Sequence, residues 1–255
     1  MTLTIQNEAG RIALERVAFD SEIFGFEVAR VTDCEPRAKG AARYAALHGA
    51  AVARAREEGF RHLSRRVLAD DFAEIAGLEK SGHGLLDTGV VFDHPLRGVT
   101  PGLPSGIKVA SDADIEKIAA SCAGIFRTSR YYHDPAFTAA GADEVHRRWI
   151  WNSFRGRADA VLVPEDASAF VTCAVDASGL GNIALFGVSP AAQGRGIGQK
   201  VLGAALAWFA ERAKRVEVKT QAINYAAARM YERGGFRLCR SELTYGRVIE
   251  SETRT

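Results

Sequence analysis

A glycine-dense loop, Gln193-Gly194-Arg195-Gly196-Ile197-Gly198, follows an apolar strand predicted over 182–188 and opens an amphipathic helix predicted from Gln199 to about Ala213. Glycines let a ligand approach the backbone closely because no Cβ stands in the way. The first N–H groups of a helix have no intrahelical acceptor, and the helix dipole adds positive potential there. The loop therefore predicts an anion site, most often one for phosphate.

Three kinds of phosphate loop can be compared with this one. The Walker A pattern ends in Gly-Lys-Ser/Thr, whereas the last glycine here is followed by Gln-Lys-Val. Gln199 stands where the dinucleotide fingerprint needs its third glycine, although Glu217 lies at the distance downstream expected for a ribose contact, so that alternative stays open. The pattern Gln/Arg-x-x-Gly-x-Gly/Ala is matched at every position from Gln193 to Gly198.

A second candidate group follows a strand predicted over 215–220. Asn224 and Tyr231 are nearly two helical turns apart and so project from one face of the next predicted helix, which ends before Gly235-Phe236. Tyrosine is protonated at neutral pH and can supply a proton to a leaving thiolate. The structural alternatives are that Asn224 caps the helix and that Tyr231 packs in the core.

Together these motifs resemble the GCN5-related N-acetyltransferases (GNAT), whose loop of this kind cradles the pyrophosphate of acetyl-CoA. The resemblance implies that acetyl-CoA is the co-substrate, that Tyr231 is the general acid and that Asn224 contacts the cofactor arm. Phe186, Gly187 and Val188 are expected beside the arm, their backbone pairing with its amides as an added strand would. Gly187 is a candidate β-bulge that opens a slot for the thioester and offers an oxyanion donor.

The general base is not indicated by the motifs. Some GNAT members have a glutamate on the strand before the loop, but residues 182–188 include no carboxylate. A water chain, His133 or Asp134 would have to serve, and for each of the two side chains a structural role is the more common interpretation. The sequence leaves the base open.

The candidate acceptor-binding region is arginine-rich. Segments 127–137 and 147–157 contain six arginines and no lysine, together with several aromatic residues. Arginine favours bidentate phosphate recognition, and aromatic rings can stack on a base or sugar. We predict substrate contacts from Arg127, Arg130, Tyr131 and His133. The alternative is a packed helix with solvated arginines.

The order Ser-Arg-Tyr…Asp-Pro-x-Phe…Arg-Trp-Ile-x-Asn-Ser in the same region resembles the TDP-fucosamine acetyltransferases. Phe19–Gly25 is also similar to their opening motif, in which a Phe-Gly pair closes a short strand turn. The resemblance implies that the acceptor is the 4-amino group of a nucleotide-linked amino sugar. Acetylation of another small amine or a protein N-terminus, and a non-catalytic acyl-CoA-binding module, remain alternatives.

The elements that position these groups predict an α/β chain of two domains. A Pro/Gly-rich stretch separates an N-terminal α/β domain (1–98) by a linker (99–106) from a GNAT domain (107–255). The N-terminal body reads as a degenerate half-GNAT repeat, because a shift of 153 positions aligns helix, strand, helix and strand without a gap. The shift places Gly40–Ala45 on the glycine loop, Asp71 on Asn224 and Leu78 on Tyr231. We therefore predict one acetyl-CoA site per chain.

Composition sets the remaining expectations for this 255-residue chain. A net charge of +2 gives no reason to expect nucleic acid or an anionic membrane as a partner. The four cysteines, at 34, 122, 173 and 239, are too scattered for a metal site or a disulfide framework. The N-terminus has no signal-peptide pattern, and no stretch of 18 apolar residues occurs. We expect a cytoplasmic enzyme without a metal, acting on a small-molecule amine, and a homodimer is left open.

Overall fold

The computed structural model describes residues 2–121 and 124–250, so Cys122 lies outside the described part. It divides into two compact units. Unit 1 comprises Met1–Gly89, Ser129–Ala142 and Ser241–Thr255, and unit 2 comprises Val90–Thr128 and Asp143–Arg240. These boundaries differ from the predicted 98 and 107, because the end of the chain pairs with a strand of unit 1 and an aromatic segment near residue 131 packs there.

Unit 1 alternates strands and helices. Its elements in chain order are β1 (Thr2–Asn7), β2 (Gly10–Arg16), α1 (Ala18–Phe24), β3 (Val28–Pro36), α2 (Ala41–Glu57), β4 (His62–Leu68), α3 (Phe72–Lys80) and the first part of β5 (Gly84–His94). The predicted strand turn at 19–25 is wrong: these residues form α1, which ends at Gly25 in the left-handed conformation (φ 72°).

The sheet of unit 1 has the order β1-β2-β3-β4, with the end of the last strand, β12 (Arg237–Val248), beside β4. β3 and β4 are parallel, whereas β12 runs antiparallel to β4. Helix α2 buries Leu47 and Ala51 against Ile12, Leu14 and Leu63 of the sheet. This apolar layer follows the 3.6-residue period of the helix and the alternation of the strands.

Unit 2 begins with the end of β5 and continues with an α/β arrangement. Its further elements are β6 (Ile107–Val109), α4 (Asp112–Ser121), α5 (Ala139–Asn152) from Asp143 onward, β7 (Ala160–Pro164), β8 (Ala169–Val175), β9 (Leu180–Ile183), β10 (Phe186–Val188), α6 (Ile197–Phe209), β11 (Arg215–Gln221) and α7 (Tyr225–Arg233). The sheet order is β11-β9-β8-β7-β6, and β10 pairs with β8.

Unit 2 has apolar clusters that fix the position of α6. Val201, Leu202 and Phe209 of α6 are fully buried against Val171 and Val216 of the sheet. A second cluster packs α4 and α5 around Phe170. The start of α6 is thereby held at the end of β10. Within the described ranges, no helix is long and apolar enough to cross a membrane.

The predicted repeat is present in the structure. α3 and α7 begin and end at positions 153 apart, and so do β4 and β11. Their N-caps Asp71 and Asn224 have nearly identical backbone angles (φ −84°, ψ 68° and φ −86°, ψ 66°) and cap alike through their side chains. The glycines that end the two helices, Gly82 and Gly235, are both left-handed. The predicted α/β class with a degenerate half-GNAT repeat is confirmed.

Candidate functional site

A β-bulge interrupts the strand that precedes the glycine loop. Asn182 lies opposite Ala174, whereas Phe186 lies opposite Val171, so three residues on one strand face two on the other. The Thr172 hydroxyl accepts from the N–H of Leu185 (2.9 Å). The extra residue falls at 184–185, two positions before the predicted bulge at Gly187. Such a bulge bends its strand and disrupts the local ladder.

The bulge separates β10 from β11. Pairing of β9 with β11 ends at Ile183 and Val218, and within the described part of the chain β10 pairs with β8 alone. The carbonyl of Leu185 and the N–H of Ser189 bond to β8, so the intervening Gly187 also faces β8. The backbone groups of Phe186 and Val188 therefore face the gap, where an extended amide chain could pair with them.

Gly187 has a packing role rather than a bulge role. It pairs in regular register with Phe170, and a Cβ at this position would lie 2.5 Å from Phe170 Cε1 and 2.8 Å from Ile125 Cδ1. A side chain at this position would require the packed side chains of Phe170 and Ile125 to shift. The prediction that its backbone pairs with a ligand arm is thus better met by its neighbours Phe186 and Val188.

The glycine loop forms the predicted helix N-terminus. Gly194 (φ 74°) and Gly196 (φ 78°) are left-handed, and Gly196 is the N-cap of α6. A Cβ at either glycine would meet no atom within 4 Å, so this exposed side of the loop is open. The first intrahelical bond is donated by the N–H of Lys200, which leaves the N–H groups of Ile197 and its two successors at the open end of the helix.

Two other residues of the loop hold it against the strand. Gln193 Nε2 donates to the carbonyl of Val188 at 3.1 Å. A Cβ at Gly198 would approach Met230 Sδ to 3.0 Å and Val188 Cγ2 to 3.4 Å. The start of α6 can therefore lie close to both β10 and α7 because residue 198 is glycine. Arg195 is exposed beside the open end.

Tyr231 lies next to β10 in an aromatic cluster. Its ring is 6.3 Å from that of Phe186, 5.9 Å from Phe92 and 5.8 Å from Phe236. The residue is 3% exposed, and its hydroxyl bonds to no group within the described ranges. Burial raises the pKa of Tyr231 well above its usual range. A tyrosine in this environment stays protonated at neutral pH, and the same burial makes it a weaker acid than a free tyrosine.

Asn224 has the capping role that the sequence offered as an alternative. Its Oδ1 accepts from the N–H of Ala227 (3.3 Å), and its Nδ2 donates to Thr220 Oγ1 (3.1 Å). These bonds fix the start of α7, and with it the position of Tyr231. Contact between Asn224 and a ligand stays a prediction.

The corresponding region of unit 1 is closed. β3 has the same bulge, since Ala13 faces Asp33 but Leu14 faces Val31, and the extra residue is 153 positions before Leu185. Here, however, the Arg65 guanidinium donates to the carbonyl of Val31 (3.4 Å). Its other nitrogens donate to both oxygens of Glu74 (2.8 and 3.1 Å).

Further buried groups complete this cluster. His48 Nε2 lies 3.1 Å from Glu74 Oε1 and 3.9 Å from Cys34 Sγ. The three side chains offer ligand atoms within 4.8 Å of one another, a spacing compatible with a metal ion. The donor chemistry does not favour one: burial and the Glu74 charge raise the pKa of Cys34 to about 12, and Arg65 already neutralises Glu74.

The predicted substrate residues are divided between the two units. Arg127 belongs to unit 2, is exposed, and lies 3.8 Å from Asp143. Arg130 and Tyr131 are buried in unit 1, where Tyr131 Oη donates to both oxygens of Asp20 (3.0 and 3.1 Å). His133 is exposed in unit 1. A role for these four in acceptor binding stays a prediction.

The remaining candidates have structural partners. Asp134, considered as a base, is buried in unit 1 with its Oδ2 2.8 Å from His62 Nε2. Although burial alone raises it, the pKa of Asp134 is lowered overall by His62 and Arg130. Arg147 and Arg148 both pair with Glu144 at 2.7 Å. The arginines of the second segment thus behave as a solvated helix face.

Sequence reasoning missed the residues that close unit 1. His48, Arg65 and Glu74 are far apart in the chain and match no motif. A usable signal is the shift of 153 positions, which places each of them on an apolar residue of unit 2: Val201, Val218 and Ala227. Polar or charged residues of one repeat that align with apolar residues of the other predict that the two units differ in their buried contacts.

Known proteins show the same fold. The Acetyltransferase (GNAT) family is matched by residues 127–236. A GCN5-related N-acetyltransferase structure from Sphaerobacter thermophilus aligns with a TM-score of 0.66 at 17% identity, covering 94% of this chain and 78% of that one. A tandem GNAT protein from the clavulanic acid biosynthesis pathway aligns with a TM-score of 0.59 at 15% identity, covering 95% and 79%.

The sequence match to a named protein is shorter. Mycothiol acetyltransferase from Mycobacterium avium (strain 104) is 39% identical over 70 residues, which are 24% of this chain and 22% of that protein. The chain thus matches less than a quarter of that protein's length. The family match is confined to residues 127–236, and the likeness to the two solved structures shows that the fold is shared.

Proposed function

We propose that unit 2 transfers an acetyl group from acetyl-CoA directly to a primary amine. The observation that supports this best is the arrangement of one helix N-terminus and one bulged strand. The open end of α6, with Gly194 and Gly196 left-handed, can hold a diphosphate. The gap beside Phe186 and Val188 leads from it and can hold an extended amide-containing arm.

The proposed chemistry uses backbone groups and one side chain. The N–H of Phe186 or Val188 donates to the thioester carbonyl and stabilises negative charge on its oxygen as the amine attacks. The new C–N bond forms and the C–S bond breaks. Tyr231 gives its proton to the leaving thiolate, an assignment supported by the position of its ring beside Phe186 of β10 and by a hydroxyl that bonds to no other group within the described residues.

Deprotonation of the attacking amine is assigned to a water chain. The strand residues 182–188 provide no carboxylate. Asp134 is buried against His62 and is therefore a poor base candidate. A water-relayed proton needs no side chain positioned in advance at the amine.

The proposed acceptor is the amino group of a nucleotide-linked amino sugar. The arginine-rich, lysine-free segment supports a phosphate-bearing acceptor, and Arg127 is exposed for such a contact. The resemblance to sugar-nucleotide acetyltransferases points the same way. The pairing of Arg147 and Arg148 with Glu144 keeps another small amine as the second candidate.

One acetyl-CoA site per chain is proposed. The helix of unit 1 that corresponds to α6 begins at Ala41 after a single glycine, and Arg65 donates to the carbonyl of Val31 on the bulged strand and to Glu74. Unit 1 therefore lacks the glycine-rich helix start that forms the anion cradle of unit 2. Its sheet keeps the scaffold without the cofactor site.

The test is a turnover assay that detects thiol release from acetyl-CoA. The acceptor panel contains amino-sugar nucleotides, the same sugars without nucleotide, polyamines and peptides. We expect thiol release with amino-sugar nucleotides and little or none with the same sugars that lack the nucleotide. Turnover of polyamines or peptides alone would overturn the proposed acceptor. If no acceptor in the panel supports thiol release from acetyl-CoA, the proposed acetyl transfer is wrong.

A further inference from the structure

One face of the unit 1 sheet collects arginine and hydroxyl side chains. Strand register places Arg30 of β3 opposite Ser64 of β4, and Arg66 of β4 opposite Thr244 of β12. Side chains alternate along strands, so these four share one face, while Leu63 points into the core on the other. Adjacent strands are about 4.8 Å apart. The four side chains therefore lie close together, with Arg30 and Arg66 exposed and Ser64 and Thr244 buried.

Two buried polar atoms on this side have no partner within the described part of the chain: Arg130 Nη1 and Thr244 Oγ1. Arg130 is 8% exposed, and its Nη2 donates to Tyr131 Oη (2.9 Å) and Asp20 Oδ2 (3.3 Å), which fixes the guanidinium in place. Folded proteins rarely leave a buried donor unsatisfied. Both atoms therefore have bonding capacity left for a bound water or a polar ligand.

The charges on this face favour an anion. Partial burial lowers the pKa of Arg66, and the like charges of Arg30 and Arg130 lower it further. Glu242, whose Oε2 is 3.7 Å from Arg66 Nε, and Asp87 offset part of this repulsion. An anion held between the three guanidinium groups would relieve the rest.

We propose that this face of unit 1 binds a phosphate group, or the diphosphate of a larger ligand, between Arg30, Arg66 and Arg130. Guanidinium forks match the geometry of phosphate oxygens and bind them with charge-assisted hydrogen bonds. The Thr244 hydroxyl supplies a further donor. The proposal does not rest on acetyl transfer, because every group in it belongs to unit 1 and none to the glycine loop.

The test uses inorganic pyrophosphate and calorimetric titration of the full chain. All proteins contain Gly196→Asp, whose carboxylate repels phosphate from the glycine loop. Aspartate tolerates the left-handed conformation, and a Cβ there meets no atom within 4 Å. In this background, Arg66→Gln removes one guanidinium from the face, and its half-exposed side chain (49%) should leave the fold intact. Arg37→Gln is the matched control, with the same charge change at an exposed site of unit 1.

We expect one pyrophosphate per Gly196→Asp chain, binding about tenfold weaker with Arg66→Gln and within about twofold of the parent with Arg37→Gln. A nucleoside diphosphate that depends on Arg66 and binds tighter than pyrophosphate would support a nucleotide ligand, and equal binding would support a free diphosphate. The proposal would be overturned if the Gly196→Asp chain does not bind pyrophosphate. It would also be overturned if Arg66→Gln and Arg37→Gln weaken pyrophosphate binding equally. Neither outcome bears on acetyl-CoA turnover.

Discussion

Replacing Tyr231 by phenylalanine separates a catalytic hydroxyl from a structural one. The Tyr231 side chain is 3% exposed and its hydroxyl bonds to no group in the described part of the protein, so its removal costs no hydrogen bond within the protein. The free energy of unfolding should therefore fall by less than about 1 kcal/mol. A general acid contributes roughly 100-fold or more to rate, which corresponds to about 2.7 kcal/mol of barrier. Tyr231→Phe should therefore lower kcat about 100-fold with only this small change in the free energy of unfolding.

Tyr245→Phe is the matched control. The Tyr245 hydroxyl donates to Glu79 Oε1 at 3.0 Å in unit 1, so its loss should cost about 1–2 kcal/mol of stability with kcat unchanged. The measurements are thiol release under saturating acetyl-CoA and urea unfolding. Burial raises the pKa of Tyr231, so kcat should not fall through loss of this proton below about pH 9. An unaltered kcat in Tyr231→Phe would refute its role as the acid, and a loss of stability as large as that of Tyr245→Phe would refute the unbonded hydroxyl.

Other substitutions test packing and electrostatics. Gly187→Ala should cost about 1–3 kcal/mol of stability and raise KM for acetyl-CoA, because its Cβ would lie 2.5 Å from Phe170 Cε1; unchanged urea unfolding would contradict this. Gly203→Ala, in the exposed middle of α6 with open space for a Cβ, should add about 0.5–1 kcal/mol in the same assay without changing KM. Asp114→Asn should cost roughly 1–2 kcal/mol near neutral pH, because bonds from Ser111 and then Lys108 lower the pKa of Asp114 to about 2. Since that pKa is depressed, the contribution of Asp114 to the free energy of unfolding is present above about pH 4 and lost as pH falls towards 2. An Asp114→Asn variant that is destabilised as much at low pH as at neutral pH would contradict this.

The position of the anion cradle could be predicted because it is local. Left-handed glycines and a helix start depend on a few neighbouring residues, and Gly194 and Gly196 adopt these conformations. The repeat was equally visible, since an ungapped shift needs no knowledge of packing. The loop and the repeat could be predicted because glycine conformation and helix capping depend on the residue type and its immediate neighbours.

Positions set by distant residues could not be predicted. The bulge was assigned to Gly187 because glycine often marks one, but that glycine is required by the ring of Phe170, 17 residues away in sequence. Arg130 and Tyr131 were predicted to face a substrate because arginine and tyrosine are common in such sites. In the structure they are buried with Asp20, more than 100 residues away in sequence. Only the tertiary fold shows these partners.

Calorimetric titration of the full chain with acetyl-CoA tests the central claim most directly. The account predicts one acetyl-CoA per chain in the wild type, with binding lost in Gly196→Asp, where a carboxylate would face the open helix end. The exposed-helix variant Gly203→Ala should bind as the wild type does. Two sites per chain, or undiminished binding in Gly196→Asp, would contradict a single acetyl-CoA site at this loop.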